Sequence, residues 1–122
     1  MEKELTLTVD PAGVMSLALE YVTEARCFLT DDFDDDKALS SLTTGVHLLA
    51  GLTTKKEPAN AHIDINAELS LDRRSETEEI INAVILHLTE ALDAFEHDDE
   101  NKALDFFVKA KCDANRLILK GE

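Results

Sequence analysis

The residues best able to do chemistry are acids. Thr23 to Leu39 reads TEARCFLTDDFDDDKAL, and Thr89 to Leu104 reads TEALDAFEHDDENKAL, so two similar passages each close on a knot of carboxylates. Five aspartates fall in the six residues 31–36. Clustered carboxylates suit calcium, a basic partner or helix capping. An EF-hand loop needs glycine at its sixth position and glutamate at its twelfth. Counted from Asp32 these places hold Lys37 and Thr43; counted from Asp98 they hold Ala103 and Lys109. The calcium motif fails in both copies.

The four histidines are His47, His62, His87 and His97. None stands in an HExxH, a zinc-type Cys/His spacing or a paired carboxylate-xx-His pattern. GxSxG, Walker and GxGxxG sequences are absent, and four scattered glycines make no phosphate cradle. Arg74 precedes His87 by thirteen residues, too far for the Arg–His spacing of helical-hairpin nucleases. The expectation is therefore no catalytic residue, no metal and no cofactor. One enzymatic or ligand-binding alternative stays open, in which Tyr21, His47, His87 and Cys112 meet in pairs around the axis of a symmetric bundle.

The elements that must carry these residues repeat. An offset of 65 superposes Asp34, Lys37, Ala38 and Leu39 on Asp99, Lys102, Ala103 and Leu104; upstream the offset is 66, where Thr23, Glu24 and Ala25 match Thr89, Glu90 and Ala91. At 64, ELTL (Glu4 to Leu7) matches ELSL (Glu68 to Leu71). Three matches in one order indicate an internal repeat with small loop indels. The reading is a single domain over 1–122, with repeat one about 4–53, a linker about 54–66 and repeat two about 67–120.

Each unit begins with alternating apolar residues, Leu5, Leu7 and Val9 in one copy and Ile63 to Leu71 in the other, the period of a strand. A helix follows. Asp10 and Pro11 are suited to start the first, and SETE (Ser75 to Glu78) has capping-box form. The stripes are Val14, Ala18, Val22, Ala25 and Leu29, and Ile80, Val84, Leu88, Ala91 and Phe95. After each acidic knot comes a second helix, striped by Leu39, Leu42, Val46, Leu49 and Leu52, or by Leu104, Phe107, Ala110, Ala114 and Leu117. The predicted fold is mainly α: a four-helix bundle of two tandem, sequence-related hairpins, each preceded by a short strand, in βαα-βαα order. Gly45 and Gly51 in the second helix predict close helix approach, or a helix end near Gly51.

In an up-down-up-down bundle both acidic turns share one end. Asp31, Asp32, Asp34, Asp35, Asp36, Asp98, Asp99 and Glu100 then form an acidic pole, beyond what capping alone requires. With 26 acids against 12 Lys and Arg, the net charge is −14. That charge opposes direct contact with nucleic acid or an anionic membrane. Two cysteines without a disulfide pattern, no apolar leader and no span of about 20 apolar residues predict a cytoplasmic protein with free thiols.

The function expected is a small acidic interaction module acting as a homo-oligomer without catalysis of its own. AVILHL (Ala83 to Leu88) is apolar nearly all round, so Ile81, Ile85 and Leu92 are the candidate dimer interface. The alternative is a nucleic-acid-mimicking inhibitor whose acidic turns fill the basic groove of another protein.

Overall fold

A computed structural model describes residues 11–32, 34–52, 61, 63, 69 and 74–117. Within them the chain is mainly helical, with α1 at Pro11–Thr30, α2 at Asp35–Gly51, α3 at Arg74–Glu96 and α4 at Glu100–Asn115. α1 packs along α2, α3 along α4, and α1 against α3, whereas α2 and α4 barely meet. The result is a helical bundle in which α1 and α3 form the inner pair.

The two short turns follow from local chemistry. Asp34 caps α2 by accepting a hydrogen bond from the Lys37 amide at 3.1 Å, and Asp99 caps α4 by accepting from the Lys102 amide at 3.2 Å. Each carboxylate satisfies a backbone donor that the first helical turn leaves open and faces the positive end of the helix dipole. α3 closes with a Schellman arrangement: the Asp99 amide reaches Ala94 O at 2.9 Å and the Asp98 amide reaches Phe95 O at 3.1 Å. Asp98 occupies the left-handed position of that motif, at φ 60°. Glycine fills this place without a Cβ penalty. Asp98→Gly should therefore stabilise the protein by about 0.5–1 kcal/mol in urea unfolding, with an unchanged denaturant slope.

The buried stripes depart from the sequence reading in a regular way. Ala38 and Ala103 are buried, while Leu39 is 36% exposed and Leu104 half-buried. Ala94 is buried and its neighbour Phe95 only half-buried. All three alanines flank the turns. A turn of three or four residues brings two helices close together, and only a small side chain fits between them there. On α1, Met15 takes the buried place expected of Val14, which is half-buried. Farther along, Ala18, Val22, Ala25 and Leu29 on α1, Leu42, Val46 and Leu49 on α2, Ile80, Val84, Leu88 and Ala91 on α3, Phe107, Ala110 and Ala114 on α4, and Leu117 just past its end are buried as their spacing predicts.

Both glycine readings hold. A Cβ at Gly45 would stand 2.9 Å from Val22 Cγ2 and 3.3 Å from the Ala18 carbonyl oxygen, so α2 approaches α1 closely there. Gly51 is the last residue of α2.

Three expectations need qualification. Ser75 lies inside the first turn of α3 rather than before it, because the helix already begins at Arg74. No strand occurs among the described residues. The first alternating run, Leu5 to Val9, lies outside them, as does Asp10, and of the second run only Ile63 and Leu69 are described. Ile63 is buried in the core and Leu69 packs against it. Ala61 is also buried, so part of the segment read as a linker is covered by the protein.

Candidate interaction surface

The acids of each turn are assembled by the hairpin that carries them. Asp31, Asp32, Asp35, Asp36, Asp98, Asp99 and Glu100 are exposed and Asp34 is half-buried. Capping engages only Asp34 and Asp99. Asp31 accepts a 3.3 Å hydrogen bond from the Thr30 hydroxyl. Among the described residues the ion pairs involve Asp93 and Asp113, not Asp31, Asp32, Asp36, Asp98 or Glu100.

Arg26 Nη1 donates to Asn82 Oδ1 at 3.0 Å, joining α1 to α3. Each hairpin presents its own group of exposed acids at its turn.

His97 sits in the second turn. Its Nδ1 lies 2.8 Å from the Asp93 carbonyl oxygen and 3.7 Å from Asp93 Oδ1. The backbone hydrogen bond, and after it the Asp93 charge, raise its pKa above the ordinary 6.5. A raised folded-state pKa contributes stability that is fully present below the unfolded value of about 6.5 and is lost as pH rises through the folded value. Proton NMR should show the His97 ring titrating above the ordinary 6.5, and Asp93→Asn should lower its midpoint.

The proposed quartet of Tyr21, His47, His87 and Cys112 is not assembled. His47 is exposed. His87 turns instead to Asp113 on α4, with Nδ1 2.6 Å from Oδ2, and its ring stacks on Phe106 at 6.2 Å between centroids. Both members of that pair are largely covered, so it reads as a satisfied link between α3 and α4. Cys27 and Cys112 form no disulfide. No group of three or more His, Cys, Asp or Glu among the described residues could hold a metal ion. His62 lies outside the described residues.

The dimer face also changes. Ile81 is 1% exposed inside the chain's own core, and Ile85 and Leu92 are half-buried against that core. The apolar breadth of AVILHL reflects a helix with neighbours on two sides, α1 and α4. What remains open is Leu86 at 56%, with Leu17 at 43% and Leu39 at 36%.

A charged residue that the sequence reading passed over is Lys111. It is 1% exposed, donates from Nζ to the Leu52 carbonyl oxygen at 3.0 Å and lies 5.5 Å from the Phe107 ring centroid. Leu52 is the C-cap of α2. The ammonium thus meets the negative end of that helix and ties the second hairpin to the first. The signal was legible, because Lys111 follows Phe107 by four residues and precedes Ala114 by three, which places it on the apolar stripe.

On α1 an open cleft of about 190 Å³ is lined by Leu17, Glu20, Tyr21 and Glu24. Glu24 Oε1 accepts from the Ser41 hydroxyl of α2 at 2.9 Å, which holds its carboxylate in place. No helix among the described residues is long and apolar enough to cross a membrane. No family model matches the chain, and neither a curated protein nor a solved structure is significantly similar to it.

Proposed function

We propose that the chain is an acidic helical interaction module, without catalysis of its own, that engages a basic partner protein. The observation that carries this reading is the division of labour in the turns. Two carboxylates, Asp34 and Asp99, do the capping, while Asp31, Asp32, Asp36, Asp98 and Glu100 stand in solvent without a described ion-pair partner. Like charges held this close repel, and a cationic surface relieves that repulsion while steering association. The nucleic-acid-mimicking inhibitor is the case in which the partner's basic surface is itself a nucleic-acid groove. Competition between the chain and a DNA or RNA duplex for that partner identifies it.

Homo-oligomerisation is the second reading, favoured by the exposed Leu17, Leu39 and Leu86. Sedimentation velocity separates the two. The basic-partner reading expects a monomer of 13.5 kDa at low and high salt. A dimer indifferent to salt would favour the second reading, since apolar contacts are not screened.

We also propose that the two hairpins are copies of one unit, in one domain with a strand before each; the matched Asp34 and Asp99 caps support the repeat. The linking turns are residues 31–34 and 97–99, and their one-residue difference accords with the change of offset from 66 to 65. A cytoplasmic location suits free thiols.

A further inference from the structure

Resting on that reading, we propose that the α1 cleft is the specific contact of the module and seats one arginine side chain of the basic partner. Leu17, Glu20, Tyr21 and Glu24 stand at i, i+3, i+4 and i+7, one face of one helix. At about 190 Å³ the cleft is below the size of ordinary cofactor or metabolite pockets. It matches a single side chain.

The lining chemistry selects which one. Leu17 is 43% exposed and Tyr21 half-buried, an apolar floor for an aliphatic stem. Glu20 and Glu24 carry negative charge on the same face, and the Ser41 bond keeps Glu24 from swinging away. A planar guanidinium can stack on the tyrosine ring while its N–H groups meet both carboxylates. A lysine ammonium offers a point charge and no plane to stack. The Tyr21 stem is firmly placed, since the backbone of α2 passes so close that a Cβ at Gly45 would lie 3.3 Å from Tyr21 Cβ. The acidic turns then attract a basic partner at long range, and the cleft reads one arginine on contact.

Tyr21 is the only tyrosine and there is no tryptophan, so intrinsic ultraviolet fluorescence reports from this cleft alone. The probe is a short blocked arginine peptide, titrated with fluorescence and calorimetry in parallel, against a lysine peptide of equal length. The expected result is a saturable change in Tyr21 emission with the arginine peptide, at an affinity about tenfold above that of the lysine peptide. By calorimetry, Tyr21→Phe should keep that affinity because the ring remains, whereas Tyr21→Ala, or Glu20→Gln with Glu24→Gln, should reduce it to the lysine level. Heat of binding without any change in Tyr21 emission would overturn the cleft assignment and leave the module reading standing. Equal affinity for both peptides would overturn the arginine assignment. No heat with either peptide would overturn both readings together.

Discussion

Lys111→Ala should cost about 3 kcal/mol in urea unfolding, the largest loss expected of any single substitution at a charged residue here. Three effects add. Three buried methylenes of the stem (Cγ, Cδ and Cε) disappear, at about 0.8 kcal/mol each when fully covered. The space it leaves between α4 and the end of α2 collapses only in part. The Leu52 carbonyl oxygen loses the donor that now stands 3.0 Å away, a further cost of about 1 kcal/mol when water does not replace it. The side-chain entropy that alanine no longer loses on folding offsets some of this sum. Lys111→Met separates packing from polarity. It keeps most of the volume, removes the ammonium and should cost less than half as much as alanine. A methionine variant as unstable as the alanine one would mean that the hydrogen bond, not the stem, dominates.

Gly45→Ala and Gly51→Ala apply the same chemistry to one helix and should move stability in opposite directions. Alanine is favoured over glycine in a helix by about 1 kcal/mol. At Gly51 nothing lies within 4 Å of an added Cβ, so most of that gain should appear, reduced by the helix end. At Gly45 the added atom would lie 2.9 Å from Val22 Cγ2, with a backbone carbonyl oxygen and Tyr21 Cβ each at 3.3 Å. Val22 is fully buried and cannot step aside freely. Overpacking of that kind costs about 1–3 kcal/mol. The net expectation is a loss of up to about 2 kcal/mol, measured as a lower urea midpoint with the same slope. Equal signs for the two variants would refute the close contact between α1 and α2.

These two sites also mark where reading the sequence stops working. Helix positions, capping by carboxylates of the acidic turns and the end of α2 depend on residues within four places of one another, and all were legible. So was the general use of Gly45. Which member of an adjacent pair turns inward was not. Leucine outranks alanine on any hydrophobic scale, yet Ala38 and Ala103 are buried in preference to Leu39 and Leu104, because short turns hold the helices too close for leucine. Ile81 looked spare only while α3 was given one neighbour. Facing both α1 and α4, it becomes core. The register between hairpins could not be read at all, since Arg26 and Asn82 are 56 residues apart and no repeat pairs them. For the same reason the α1 cleft is not legible in the sequence, where the offset of 66 pairs Tyr21 with His87 and says nothing of the two glutamates beside it.

The central claim is that placement, not total charge, makes the acidic turns a working surface. Two variants of equal net charge test it directly. One carries Asp31→Asn, Asp32→Asn, Asp98→Asn and Glu100→Gln, leaving both caps intact. The other carries Glu78→Gln, Glu79→Gln, Glu90→Gln and Asp105→Asn, all on α3 or α4 and none in a turn or in the first turn of a helix. Each is titrated calorimetrically with an oligolysine peptide, which reads clustered charge rather than the α1 cleft, at low salt and again near physiological salt, where screening acts beyond about 8 Å. The account predicts that the turn variant loses at least tenfold in affinity while the helix variant stays within about threefold of the wild type. Equal losses in the two variants would contradict it, leaving the acids of the turns as capping and solubility alone.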